Sequence, residues 1–176
     1  MTSVLVIGGA RSGKSRYAEA RLEALPGDAA LAYIATAQPL DTEMAERIAH
    51  HRARRGPRWH TMEAPLDLPA AIARAQGGAD AVLVDCLTLW LTNVMLADHD
   101  VACAAEALID ALQRCTCPIV LIANEVGLGI VPDNALARRF RDHAGWLNQK
   151  LAVVADEVVL VAAGLPLHLK TLAGRA

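Results

Sequence analysis

The chain has 176 residues, 54% of them apolar, with positive mean hydropathy, so a single packed domain over residues 1–176 is expected. Its 17 basic and 19 acidic side chains leave a net charge of −2, and it has three Trp, two Tyr and one Phe. That balance offers no field to gather nucleic acid and no stacking platform for single strands, so nucleic acid is excluded as a partner.

In chain order, strands are predicted at Val4 to Ile7, Ala30 to Ile34, Trp59 to Met62 (the weakest), Ala81 to Val84, Ile119 to Ala123 and Val158 to Val161. Between them, helical periodicity covers Lys14 to Ala24, Thr42 to Arg54, Leu66 to Gln76, Ala102 to Arg114 and Asn134 to Ala155, with Asp41 as N-cap of the second. A β-α-β order throughout predicts an α/β fold: a mostly parallel sheet with helices on both faces. The breaks at Pro26-Gly27, Gly56-Pro57, Gly77-Gly78 and Gly127 to Pro132 are turn-length, not domain linkers.

No apolar run reaches the ~18 to 20 residues of a membrane span; the longest, Leu151 to Ala163, is broken by Asp156 and Glu157. The apolar start, Val4 to Ile7, is too short for a signal peptide. Cys86, Cys103, Cys115 and Cys117 form no Cys-x-x-Cys pair, and the expectation is a reducing cytoplasm. Cys115-x-Cys117 could hold a metal or a redox pair, but small core residues are the simpler reading.

Gly8-Gly9-Ala10-Arg11-Ser12-Gly13-Lys14-Ser15 matches the phosphate-binding P-loop, with strand before and helix after. Its glycines let backbone N–H groups wrap a phosphate, Lys14 adds positive charge, Ser15 offers a hydroxyl to Mg²⁺, and the helix N-terminus adds its dipole. The fold expectation is therefore of the P-loop NTPase type, and the ligand a nucleoside triphosphate. Asp85 ends an apolar strand where such proteins hold Mg²⁺, though a turn or N-cap would also place a carboxylate there. Glu63 and Asn124-Glu125 likewise follow strands, at the end of a doubly wound sheet where ligands bind. No Asn-Lys-x-Asp guanine-reading motif occurs, which argues against a switch GTPase.

In Asp41 to Arg55, Met44 and Ile48 mark one helical face, and at ~100° per residue His50 lies nearly opposite, beside Glu46, Arg47 and Arg54. On the residues alone a solvated face is the favoured reading. The functional alternative is a nucleophile, because a neutral imidazole can attack phosphorus while Arg47, Arg52 or Arg54 binds phosphate oxygens. His60, His99, His143 and His168 have no interpretable partner, and the basic helix around Arg138, Arg139 and Arg141 is read as solvated.

The P-loop, Tyr33-Ile34-Ala35-Thr36-Ala37, Arg47-Ile48-Ala49-His50-His51-Arg52 and Asn124-Glu125-Val126-Gly127-Leu128-Gly129-Ile130-Val131-Pro132 occur in that order. Together they resemble the bifunctional adenosylcobinamide kinase / adenosylcobinamide-phosphate guanylyltransferase family of cobalamin biosynthesis, over almost the whole chain. The resemblance implies phosphoryl transfer from ATP or GTP to the aminopropanol hydroxyl of adenosylcobinamide. It then implies transfer of GMP from GTP onto that phosphate, giving adenosyl-GDP-cobinamide and pyrophosphate. It implies His50 as the residue that carries GMP covalently, reversing the solvated-face reading, and Lys14 as the second catalytic group. Nucleotide-site positions implied by it are Gly8 to Ser15, Ala35, Thr36, Ala37, His51, Arg52, Ala53, Arg54, Glu63 and Asp85, with Mg²⁺ at Ser15 and Asp85. Some relatives have glutamate where Asp85 stands. Asp85 or Glu125 is the expected base of the kinase step, and the resemblance implies a homo-oligomer, a trimer. The rivals are a monofunctional P-loop kinase with an inert His50, and a nucleotide-dependent regulatory module.

Overall fold

The structure, a computed structural model, describes residues 2–38 and 55–171. The predicted helix Thr42 to Arg54 and its N-cap Asp41 lie outside the described residues. The elements are β1 (Ser3–Gly8), α1 (Lys14–Glu23), β2 (Leu31–Ala35), β3 (Trp59–Glu63), α2 (Leu68–Ala75), β4 (Ala81–Asp85) and α3 (Leu87–Leu96). They continue with α4 (Val101–Arg114), β5 (Ile119–Asn124), α5 (Ala135–Val154), β6 (Glu157–Ala162) and β7 (Leu165–Lys170).

The strands form one seven-stranded sheet in the order β3-β2-β4-β5-β1-β6-β7. Every pairing is parallel except β6 with β7. Strands buried on both faces carry near-continuous apolar runs, as in Ala81 to Val84 and Ile119 to Ala123. Alternate side chains feed two cores. One packs Leu5, Ile34, Val84 and Leu121 against α2, α3, α4 and α5; the other packs Val6, Leu83 and Ile122 against Ala18 and Leu22 of α1. Among the described residues, helices thus cover both faces, four on one side and α1 on the other.

Local signals set the helix starts. Asp67, Asp100 and Asn134 accept hydrogen bonds from the first-turn amides of α2, α4 and α5, which satisfies donors that a helix start leaves open. Cys115 and Cys117 are free thiols with Sγ atoms 3.8 Å apart, Cys115 buried and Cys117 half-buried against the core.

Two elements depart from the sequence expectation. Helix α3 follows β4 almost at once and was not predicted, because Leu87-Thr88-Leu89-Trp90-Leu91 is apolar all round and shows no periodicity. Its Trp90 is 1% exposed and donates from Nε1 to the Leu66 carbonyl at 2.8 Å. Strand β7 breaks the β-α-β order: it turns back through Ala163-Gly164, both at positive φ, and pairs antiparallel as a largely exposed edge. Lys170 anchors its end, donating from Nζ to the carbonyls of Ala152, Val153 and Ala155 at the C-terminus of α5.

Trp90→Ala is expected to destabilise the protein by about 3–5 kcal/mol, read as a lowered urea midpoint with an unchanged m-value.

Candidate nucleotide site

The sheet's carboxyl edge carries the site. β1 ends at Gly8, where a β-carbon would come within 2.5 Å of both the Val161 carbonyl oxygen and Ser12 Oγ. The chain then turns through Gly9, Ala10 and Arg11, all exposed, with Arg11 at φ 54, and enters α1 from Gly13 at φ 95. Lys14 is 8% exposed, and its Nζ folds back over the loop to donate to the Gly9 carbonyl at 3.2 Å. Half-buried Ser15 follows it in the first turn. Ser12 Oγ is buried with no hydrogen-bond partner among the described residues, a polar group left for a ligand.

The β6–β7 turn braces this loop from behind. Gly164 N–H donates to the Ser12 carbonyl at 2.8 Å, and a β-carbon on Gly13 would lie 3.2 Å from Gly164 Cα. Sequence reading missed this support along with β7, although the Ala163-Gly164 pair between two apolar alternations was the available signal.

The parallel register orders the other strand ends. Gly8 pairs with Asn124, and Glu125 N–H donates to the Gly8 carbonyl at 3.0 Å, so the end of β5 adjoins the P-loop. Asp85 stands two strands from β1, about 10 Å sideways, and Glu63 four strands away, about 19 Å, both level with Ile122 and so two residues short of the Gly8–Asn124 pair. Ala35 pairs with both Asp85 and Glu63. The structure therefore brings Gly8 to Ser15 together with Asn124 and Glu125, places Asp85 midway, and sets Ala35, Ala37 and exposed Glu63 toward the far edge. His50, His51, Arg52, Ala53 and Arg54 lie outside the described residues.

Asp85 is held from two sides. The Tyr33 hydroxyl donates to Asp85 Oδ2 at 2.9 Å. Burial, reinforced by the Asp85 charge and opposed by Arg55, pushes the Tyr33 phenol well above its ordinary value, so it remains a proton donor. The Arg55 guanidinium sits 3.4 Å from the Tyr33 ring centroid, and Trp59 packs on that ring edge-to-face. From the other side, Thr36 N–H donates to the Asp85 carbonyl at 3.2 Å. Thr36 Oγ1 donates to the Cys86 carbonyl at 2.7 Å and accepts from Cys86 N–H at 2.8 Å. Thr36 is fully buried, and Asn93 Nδ2 donates to its carbonyl and to that of Pro65. The Thr36 side chain thus serves the Asp85 turn. Burial, reinforced by the Asp85 charge, pushes the Cys86 thiol up to about 11, away from the thiolate form. The support given by Tyr33 and Arg55 was not read from sequence, since a Tyr in an apolar strand looks like core.

Hard oxygen donors at Ser15 and Asp85 are of the kind Mg²⁺ takes alongside nucleotide phosphates. The arrangement can cradle a triphosphate at α1.

A family model described as "Cobinamide kinase / cobinamide phosphate guanyltransferase" matches residues 4–169. The chain is 50% identical to the Bifunctional adenosylcobalamin biosynthesis protein CobP of Pseudomonas aeruginosa, over 94% of this chain and 96% of that one. It is 47% identical to the Bifunctional adenosylcobalamin biosynthesis protein CobU of Salmonella typhimurium, over 95% and 99% of the two chains. Among solved structures, an ATPase domain superposes with a TM-score of 0.52 at 11% identity, over 90% of this chain and 68% of that one, a likeness of fold.

Gly8→Ala is expected to weaken GTP binding about 10- to 100-fold through ~1–3 kcal/mol of overpacking, measured by fluorescent-nucleotide titration. Thr36→Val, which strips two bonds from the Asp85–Cys86 turn, should cost about 1–3 kcal/mol of stability in urea unfolding.

Proposed function

The chain belongs to the cobinamide kinase / cobinamide phosphate guanyltransferase family and is a bifunctional enzyme of adenosylcobalamin biosynthesis, and we propose that one P-loop site serves both of its reactions. The observation that carries this reading is the P-loop itself: Lys14 folded over Gly9, Ser12 Oγ without a partner among the described residues, Glu125 on the adjoining strand end, and Asp85 and Glu63 further along the same edge of the sheet.

In the kinase step the hydroxyl of adenosylcobinamide attacks the γ-phosphorus of ATP or GTP, and the diphosphate leaves. Lys14 and the loop amides hold the phosphate oxygens and stabilise charge as it spreads over them. Mg²⁺ bound at Ser15 and Asp85 would neutralise phosphate charge there. Glu125 is favoured over Asp85 as the base for the hydroxyl proton, because its backbone bonds to Gly8 while Asp85 lies two strands away. In the guanylyl step His50 attacks the α-phosphorus of GTP, pyrophosphate leaves, and the phosphate of adenosylcobinamide phosphate then displaces His50 to give adenosyl-GDP-cobinamide. Dividing the displacement in two lets one nucleophile hold GMP while donor and acceptor exchange. Ala35, Ala37 and Glu63, with His51 to Arg54, form the nucleotide contacts of this step.

Four free cysteines agree with a reducing, cytoplasmic setting, and no helix among the described residues is long and apolar enough to cross a membrane. A trimer is part of the same reading, tested by sedimentation.

Incubation with α-labelled GTP and Mg²⁺ should give an acid-labile, alkali-stable label that maps to His50. His50→Ala should abolish the label and GMP transfer while leaving phosphorylation intact; equal loss of both activities would overturn the division of labour. Glu125→Gln keeps an amide oxygen for the loop and removes the base, so kinase turnover should fall about 10²- to 10⁴-fold in a phosphoryl-transfer assay with little change in GTP affinity.

A further inference from the structure

The loop after β5 presents Leu128, Ile130 and Val131 at 87%, 99% and 61% exposure, and Leu136 opens α5 at 54%. Water-facing apolar side chains this close along one loop mark a surface that something covers. The loop is also held in shape at both ends. Glu125 Oε1 accepts from the amides of Gly127 and Leu128 at its start, and Arg138 Nη1 donates to the carbonyls of Pro132 and Asp133, at 3.0 and 2.6 Å, at its end. It leaves the sheet one residue beyond the Gly8–Asn124 pair, so this apolar rim is continuous with the phosphate cradle.

The acceptor's chemistry matches that position. Cobinamide carries its reacting alcohol on an arm of a corrin ring whose rim is studded with methyl groups. When the alcohol reaches a phosphate in the P-loop, the ring must rest outside it. Of the exposed leucines of β7, Leu165 follows the Gly164 turn that backs the P-loop and Leu167 and Leu169 run away from the sheet's carboxyl edge, whereas the 128–131 rim springs from the end of β5 beside Gly8. We propose that Leu128, Ile130 and Val131 form the seat of the corrin ring, a binding surface for the part of the acceptor that stays outside the phosphate cradle. The inference rests on the proposed site.

The test is equilibrium dialysis of adenosylcobinamide against wild type and the Leu128→Ser/Ile130→Ser double variant, with GTP affinity and sedimentation measured alongside. Both side chains are nearly fully solvated, so the variant is expected to fold and bind GTP as wild type does. The corrinoid Kd should rise tenfold or more, and KM for adenosylcobinamide with it, while kcat at saturation stays close to wild type. Unchanged corrinoid affinity overturns the seat, as does a change in sedimentation without a change in affinity, which would make the loop a contact between chains. Wild type that binds GTP but neither binds nor phosphorylates adenosylcobinamide would instead overturn the function from which the seat was argued.

Discussion

Gly8 leaves no room for a β-carbon, and the whole phosphate end of the molecule is arranged around that close approach. The Val161 carbonyl lies on one side and Ser12 Oγ on the other, each within 2.5 Å of where the carbon would stand. The P-loop is therefore wedged between the end of β6 and its own return into α1, while Glu125 N–H fastens it to the end of β5. The ends of the loop are thereby fixed at Gly8 and Gly13 before a ligand arrives, and fixed positions are what electrostatic stabilisation of a transferring phosphoryl group requires. The antiparallel β7 gains a purpose here: its turn delivers Gly164 N–H to the Ser12 carbonyl and closes the loop from outside.

The next constraint is how a carboxylate two strands away keeps its place. Asp85 has its side chain bound by the Tyr33 hydroxyl and its backbone clipped by Thr36. Both come from β2 or the residue just after it, so the parallel pairing of β2 with β4 is also the device that aims Asp85. Arg55 above the Tyr33 ring supplies positive charge beside a buried phenol and carboxylate, offsetting part of the desolvation of that corner. The Thr36 hydroxyl is consumed by the Cys86 peptide, so its part in this corner is to fix where Asp85 stands.

The fold was legible where periodicity and loop chemistry agreed. The apolar runs that became β1, β4 and β5 and the P-loop between β1 and α1 are local signals, and local signals survive into sequence. Helix α3 was hidden because a segment buried on nearly every side loses the alternation that distinguishes a face. Strand β7 was hidden for the opposite reason, as an exposed edge with a proline that reads as loop. At the site, Asp85 and Glu63 could be picked out because strand ends in such sheets carry ligand contacts. Tyr33 and Arg55 could not, since their role depends on which strand lies beside β2, and pairing order is a long-range property.

That pairing order also bears on how one chain runs two reactions. The insertion of β5 between β1 and β4 separates the phosphate cradle from Asp85 by about two strand spacings, and Glu63 lies as far again beyond it. A site confined to the P-loop would hold a triphosphate and little else. An edge about 19 Å long from Gly8 to Glu63 lets groups at one end act on a phosphate while groups at the other hold a different part of a substrate. In the proposed scheme phosphorylation and guanylyl transfer both need charge neutralised at Lys14, but they attack different phosphorus atoms and release different leaving groups. Under the proposed reading a common cradle with separate nucleophiles is the economical arrangement: the acceptor alcohol comes from the rim beside β5, and the imidazole from the segment that joins β2 to β3.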